Sequence, residues 1–169
     1  MDRLWAPWRA AYVQESHVNH GCVFCDLPAQ GPAFFQQNLI LTSSPSVFVI
    51  LNRYPYNAGH LMVIPRHHAA NLIDVPSPAY MQLCDWLRKS IDIVKQELRP
   101  DGINVGMNLD KAAGAGVADH CHFHIVPRWN GDTNFMPVLA NTKVVSESLD
   151  AMYQKLFPAF QKIASEDVA

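Results

Sequence analysis

Long apolar runs are missing from this chain. The most hydrophobic stretches, such as Val47-Phe48-Val49-Ile50-Leu51, fall far short of the roughly 20 residues that cross a bilayer as a helix. Excess charge is missing too: Lys and Arg total 13 against 15 Asp and Glu, a net charge of −2. No global basic field therefore draws duplex nucleic acid, although a small phosphate ligand needs only local donors. Cysteines number four, too few for a disulfide framework in a chain of this size. The opening Met1-Asp2-Arg3-Leu4-Trp5 has no basic region leading into an apolar core, so no signal peptide is expected and the cytoplasm is the expected compartment. Disorder is disfavoured as well, because 49% of the 169 residues are hydrophobic and only 17% charged, enough for one well-packed domain spanning residues 1–169.

The local patterns point to an α+β fold. Leu4, Trp5, Trp8 and Tyr12 form an aromatic stripe at helical spacing, which reads as a packing face. Pro28, Gly31 and Pro32 mark a loop, and Asn38 to Thr42 is a short candidate strand. Val47 to Leu51 and His60 to Ile64 are β-favouring runs separated by a turn-rich loop, an expected antiparallel pair. Ser77 with Pro78 reads as an N-cap followed by proline at the first helical position. From there Tyr80, Leu83, Cys84, Leu87, Ile91, Val94 and Leu98 recur at helical spacing, until Pro100-Asp101-Gly102 ends the helix. Ile103 to Asn108 reads as a strand, and His120 to Val126 as another that Pro127 stops. A last helix is expected from about Ser146, interrupted at Pro158. Strands and helices do not alternate, which favours a mainly antiparallel sheet. Cys84 and Cys121 fall on apolar faces and read as core residues.

The chemistry concentrates in His120-Cys121-His122-Phe123-His124-Ile125-Val126. On a strand, alternation puts His120, His122 and His124 on one face and Cys121, Phe123 and Ile125 in the core. Three adjacent imidazoles would repel one another if all were protonated. Mostly neutral rings that ligate, attack or donate to an anion are the expectation, against a polar face with chance histidines or a purely structural metal site. Cys22-Val23-Phe24-Cys25 has the spacing of half a tetrahedral zinc site; the same spacing also fits a redox pair or chance.

The His-φ-His-φ-His-φ-φ run resembles the motif of the histidine-triad (HIT) family. The likeness extends through Ile50-Leu51-Asn52-Arg53-Tyr54-Pro55, Gly59-His60-Leu61-Met62-Val63-Ile64-Pro65, and Asn104 to Asn108, a motif-bearing core of about residues 22–130. The segments at both ends, with Leu4-Trp5-Ala6-Pro7 and Pro127-Arg128-Trp129, look like the bacterial diadenosine tetraphosphate phosphorylase branch. The resemblance implies a HIT-like fold, a homodimer, and nucleotidyl transfer from a dinucleoside polyphosphate through a nucleotidyl-histidine at His122. An adenosine phosphoramidate-type conjugate is the alternative substrate. A backbone carbonyl near the first histidine would hold the His122 N–H; His124 would donate to phosphate or leaving group, and His60 would support the pair. Asn52 resembles the family's ribose-facing asparagine, and Asn108 the amide that touches the reacting phosphate.

The loop carrying Gly114, Gly116 and Val117 would bring backbone N–H groups to the phosphate. It departs from the phosphorylase pattern, which has serine where Gly116 stands. Trp129 and the terminal segments favour phosphate as the second acceptor, while the missing serine favours water. Some family members complete a zinc site, and by motif position Cys22, Cys25, His68 and His120 would hold a structural Zn2+, with His20 and His67 as rival ligands. Two other classes compete: a zinc-stabilised nucleotide-binding module with little turnover, and a hydrolase whose three histidines hold a catalytic metal. The second lacks a carboxylate base in the motif.

Overall fold

Two runs that are apolar at every position, Val47–Leu51 (β2) and Leu61–Pro65 (β3), form adjacent antiparallel strands buried on both faces. They are central in a five-stranded sheet of order β1-β2-β3-β5-β4, whose other strands are β1 (Ile40–Ser43), β4 (Gly102–Met107) and β5 (Phe123–Arg128). All pairings are antiparallel. The computed structural model describes residues 21–133 and 147–166. The aromatic stripe of residues 4–12, the rival ligand His20 and the expected helix start at Ser146 lie outside these residues.

Register decides the two faces. Val49↔Val63, Ile50↔Met62 and Met62↔His124 put Phe48, Ile50, Met62 and His124 on one side, and Val49, Val63, Ile125 and Pro127 on the other. Two long helices, α3 (Ser77–Leu98) and α4 (Leu149–Glu166), pack against the sheet and against each other. They belong to the Pro127 side: a methyl group added at Gly59 would meet Leu98 of α3, Pro127 of β5 and Met152 of α4 together. The first side receives the short helix α1 (Val23–Ala29), whose Phe24 packs edge-on against Phe48, 6.4 Å between ring centres. A turn at Pro32–Phe34 and the one-turn helix α2 (Phe35–Asn38) lead from α1 into β1, with Leu39 in the left-handed region at φ 61°.

Several local expectations shift. Helix α3 begins one residue early: Pro76 is the cap, its carbonyl accepting from Tyr80 N–H, and Ser77 makes no capping bond. Its buried stripe is Leu83, Trp86, Ser90, Ile93 and Val94, so the face is rotated and Cys84 is only half-buried. Residues 120–122 precede β5, and Cys121 N–H donates to the Ala69 carbonyl at 2.7 Å. Cys121 is buried in a small separate cluster with Ala69 and Val75. Pro127 does not stop β5: it pairs with Ile103 of β4, beyond the last β3–β5 pair at Leu61↔Ile125, where no ladder bond to β3 is required of it. Likewise α4 continues through Pro158, because Met152, Tyr153, Leu156 and Phe160 bury their side chains on both sides of it; this packing outweighs a proline cost of roughly 3 kcal/mol. No helix among the described residues is long and apolar enough to cross a membrane.

Candidate active site

A cavity of about 140 Å3 opens on the α1 side of the sheet. Its wall includes Phe24, Leu27, Asn38, Ile50, Asn52, Met62, Gly114, Gly116, His122 and His124. Strand alternation supplies Ile50, Asn52, Met62 and His124; the loop before β5 supplies His122. Helix α1 supplies Phe24 and Leu27, α2 supplies Asn38, and the glycine-bearing loop that closes a short turn at Lys111–Ala113 supplies Gly114, at φ 87°, and Gly116.

His122 and His124 stand side by side, ring centres 4.7 Å apart, yet their hydrogen bonds give them opposite polarities. His122 Nδ1 lies 2.9 Å from the His120 carbonyl. A carbonyl only accepts, so Nδ1 carries the proton and Nε2 keeps its lone pair. The ring is 3% exposed, and burial lowers its pKa, an effect opposed by the bond to His120. It is therefore neutral at pH 7.

For His124 the proton is set from further back. The backbone N–H of Tyr56 donates to His60 Nδ1 at 3.0 Å. A neutral His60 must then carry its proton on Nε2, which faces His124 Nδ1 at 3.0 Å. His124 Nδ1 becomes the acceptor, and a neutral His124 ring then carries its own proton on Nε2. One imidazole thus offers a lone pair and its neighbour an N–H.

His60 is fully buried and does not line the cavity; its ring meets His124 instead. It is held on several sides. Its N–H donates to the Asn57 carbonyl, its carbonyl accepts from Asn52 N–H at 2.8 Å, and Tyr56 stacks on its ring at 4.7 Å. Gly59 just before it has φ +73° and no space for a side chain, a conformation that strains other residues. Asn57 in turn donates to the Pro127 carbonyl and to Asp132, whose carboxyl the Arg128 guanidinium holds well below the usual carboxylate range.

Behind this pair lies a second cluster. Ligand atoms of Cys22, Cys25, His68 and His120 all lie within 4.8 Å of one another and could hold a metal ion. His120 Nδ1 is 3.3 Å from Cys22 Sγ and 3.7 Å from Cys25 Sγ, and His68 Nδ1 is 3.4 Å from Cys25 Sγ. The far nitrogen of His120 donates to the Pro65 carbonyl at 2.8 Å, the outer bond that usually orients a ligating imidazole. His67 is exposed and outside the cluster. Burial and the neighbouring Cys22 push the Cys25 thiol up to about 11.

Of the residues singled out in the sequence, the fold brings Asn52, Gly114, Gly116, His122 and His124 to the cavity. Asn108, Val117 and Trp129 are half-buried and not part of its wall. Val117 packs against the main core, and Trp129 N–H donates to Asp132. Sequence reasoning missed Phe24, Asn38 and Tyr56. Phe24 was visible only as the spacer between two cysteines, yet its ring lies edge-on to His122 at 4.9 Å and to His120 at 5.7 Å.

This sheet, with a lone-pair histidine beside a donor histidine, is the arrangement of a histidine-triad protein. A HIT domain model matches residues 35–131, and the chain belongs to that family. Relatives agree. An AP-4-A phosphorylase of Mycobacterium tuberculosis is 37% identical over 154 residues, 88% of this chain and 79% of that protein. An adenosine 5'-monophosphoramidase of Candida albicans is 26% identical, covering 89% of this chain and 97% of that one. Among solved structures, a zinc-bound histidine triad family protein of Mycobacterium smegmatis superposes with a TM-score of 0.66 at 26% identity, over 86% of this chain and 97% of its own.

Proposed function

We propose that the protein is a nucleotidyl transferase or hydrolase that cleaves dinucleoside polyphosphates of the diadenosine tetraphosphate type through a covalent nucleotidyl-His122. The observation that carries this reading is the pair of hydrogen bonds that set opposite polarities on neighbouring rings, His122 Nδ1 to the His120 carbonyl at 2.9 Å and His124 Nδ1 to His60 Nε2 at 3.0 Å. His122 Nε2 attacks the α-phosphorus without a separate base, forming an N–P bond as the P–O bond to the remaining phosphates breaks. Positive charge that develops on the ring is stabilised by the His120 carbonyl at Nδ1. The His124 Nε2–H donates to the departing or non-bridging oxygen, and backbone N–H groups near Gly114 and Gly116 face the remaining charge. Phosphate or water then attacks the same phosphorus and breaks the N–P bond. Asn52 faces the ribose.

The Cys22, Cys25, His68 and His120 cluster suits a structural zinc ion. Bonds of about 2.3 Å to sulfur and 2.05 Å to nitrogen at tetrahedral angles give S···N edges of about 3.6 Å, and the Cys22–His120, Cys25–His68 and Cys25–His120 distances run from 3.3 to 3.7 Å. Four protein ligands leave no position for substrate, so the ion would hold structure and take no part in the reaction. Cysteines kept as ligands suit the reducing cytoplasm.

The test is product analysis of diadenosine tetraphosphate incubated with and without inorganic phosphate. ADP plus ATP appearing only with phosphate is the outcome expected of a phosphorylase, with Gly116 tolerated. AMP plus ATP without phosphate makes water the acceptor. No turnover in either condition removes this substrate class and leaves the zinc-stabilised binding module or a smaller adenosine conjugate.

The β4 edge supports a homodimer. Among the described residues β4 pairs only with β5, and Val105 on it is 43% exposed beside half-buried Ile103 and Met107. An apolar strand edge of this kind is covered in stable proteins, and a two-fold copy of itself does so by symmetric pairing. Light scattering is expected to give a dimer for the wild type and a monomer for Val105→Lys. A monomeric wild type at tens of micromolar overturns this proposal.

A further inference from the structure

One polar side chain in the cavity wall has no part in the chemistry above. Asn38 is 94% buried, with 6% of its surface exposed. Its amide nitrogen donates to the Leu27 carbonyl at 3.2 Å and to Gln30 Oε1 at 3.0 Å. Because the Leu27 carbonyl can only accept, the NH2 must point that way. Both N–H groups are used, and the remaining atom, Oδ1, has no protein partner among the described residues. Asn38 also lines the cavity. The fold therefore holds a fixed, acceptor-only oxygen at an otherwise apolar wall formed by Val23, Leu27, Leu39 and Ile50.

Its position matters. Helix α1 touches the histidines at its first turn, through Phe24 on His122, and touches Asn38 at its far end, through Leu27 and the capping residue Gln30. With a rise of about 1.5 Å per residue, Asn38 lies about one helical turn from the reacting end. A nucleotide whose phosphate meets His122 would extend its base toward this wall. An acceptor that a bound base covers without bringing it a donor is costly. A base that brings an exocyclic N–H2 satisfies it; a base with an oxygen at that place sets two acceptors against each other.

We propose that Asn38 is a specificity residue that selects a 6-aminopurine, its Oδ1 accepting one N–H of the exocyclic amine. The inference rests on the reading of the cavity as a nucleotide site. The same discrimination needs nothing from the histidines, so binding can report it separately from turnover.

The experiment is calorimetric titration of the full chain with AMP, IMP and purine riboside 5'-monophosphate, which lacks the 6-substituent and adds no bulk. AMP is expected to bind about tenfold tighter than the unsubstituted purine nucleotide, with IMP weaker still. In Asn38→Leu, similar in size and without the acceptor, the AMP preference over the unsubstituted purine is expected to fall to within about twofold. The wild-type ligand series stands alone if that variant does not fold. Equal binding of all three nucleotides to the wild type overturns the proposal while leaving the nucleotide site intact, as does an undiminished AMP preference in a folded Asn38→Leu. Failure of all three to bind overturns both the proposal and the nucleotide reading beneath it.

Discussion

His122→Asn is expected to lower turnover of diadenosine tetraphosphate by about four orders of magnitude or more, while nucleotide binding survives. Asparagine retains a short polar side chain but has no nitrogen lone pair able to form the N–P bond, so the covalent route closes. The cavity walls made by Phe24, Ile50 and Asn52 remain. Rapid quenching of the wild type followed by mass spectrometry is expected to find one nucleotidyl group on the peptide containing His122, and none on the variant. Retention of more than about a hundredth of the wild-type rate would place the nucleophile elsewhere. A neighbouring histidine could not substitute without rearrangement, since the proton that His124 carries on Nε2 is imposed through His60 and the Tyr56 N–H.

Withdrawing the zinc ion proposed for the Cys22, Cys25, His68 and His120 cluster is the second large expected effect. A strong chelator, or Cys25→Ser, is expected to lower the thermal midpoint by about 10 °C, corresponding to about 3–5 kcal/mol for a chain of this size. The reaction is expected to fail with it, although the ion touches no substrate. His120 explains why. Its Nδ1 belongs to the ligand cluster, its Nε2 to the Pro65 carbonyl, and its own carbonyl fixes the proton of His122. Phe24, held between Cys22 and Cys25, lies against both rings. Nitrogen NMR of the imidazoles is expected to show a single Nδ1–H tautomer for His122 in the loaded protein and a tautomer mixture after chelation. His67→Ala is expected to leave metal content unchanged. An unchanged midpoint after complete metal removal would sink the structural role, and metal lost in His67→Ala would move the ligand set.

The histidine run was legible because its meaning lies in spacing. Period two along an extended segment puts alternate residues on one side whatever the surrounding fold. The Cys-x2-Cys pair and the His68 and His120 partners were readable from motif position, and the structure brings those four side chains together. The α+β class followed from the order of the apolar runs, and β2 and β3 lie within a residue of their expected limits. What slipped were features that depend on distant packing. Proline is a local stop signal, yet Pro127 continues a strand because β3 has already ended beside it, and Pro158 continues a helix because both of its neighbouring turns are buried. The α3 stripe rotated because Trp86 and Ile93 both enter the core, a choice that helical spacing alone leaves open.

By itself the sequence determined the chemical alphabet: three imidazoles in alternation, two pairable thiols, a glycine-bearing loop and enough apolar residues to bury them. Tertiary structure alone decided what His120 and His124 can do, whereas the partner of His122 is the His120 carbonyl only two residues away. Whether a ring nitrogen carries a proton or a lone pair depends on the partner of the other nitrogen. Those partners are the Pro65 carbonyl 55 residues from His120 and the His60 ring 64 residues from His124. The same holds for Asn38, read in the sequence only as the first residue of a candidate strand: the Leu27 carbonyl takes its nitrogen and leaves its oxygen as the acceptor of a residue in the cavity wall.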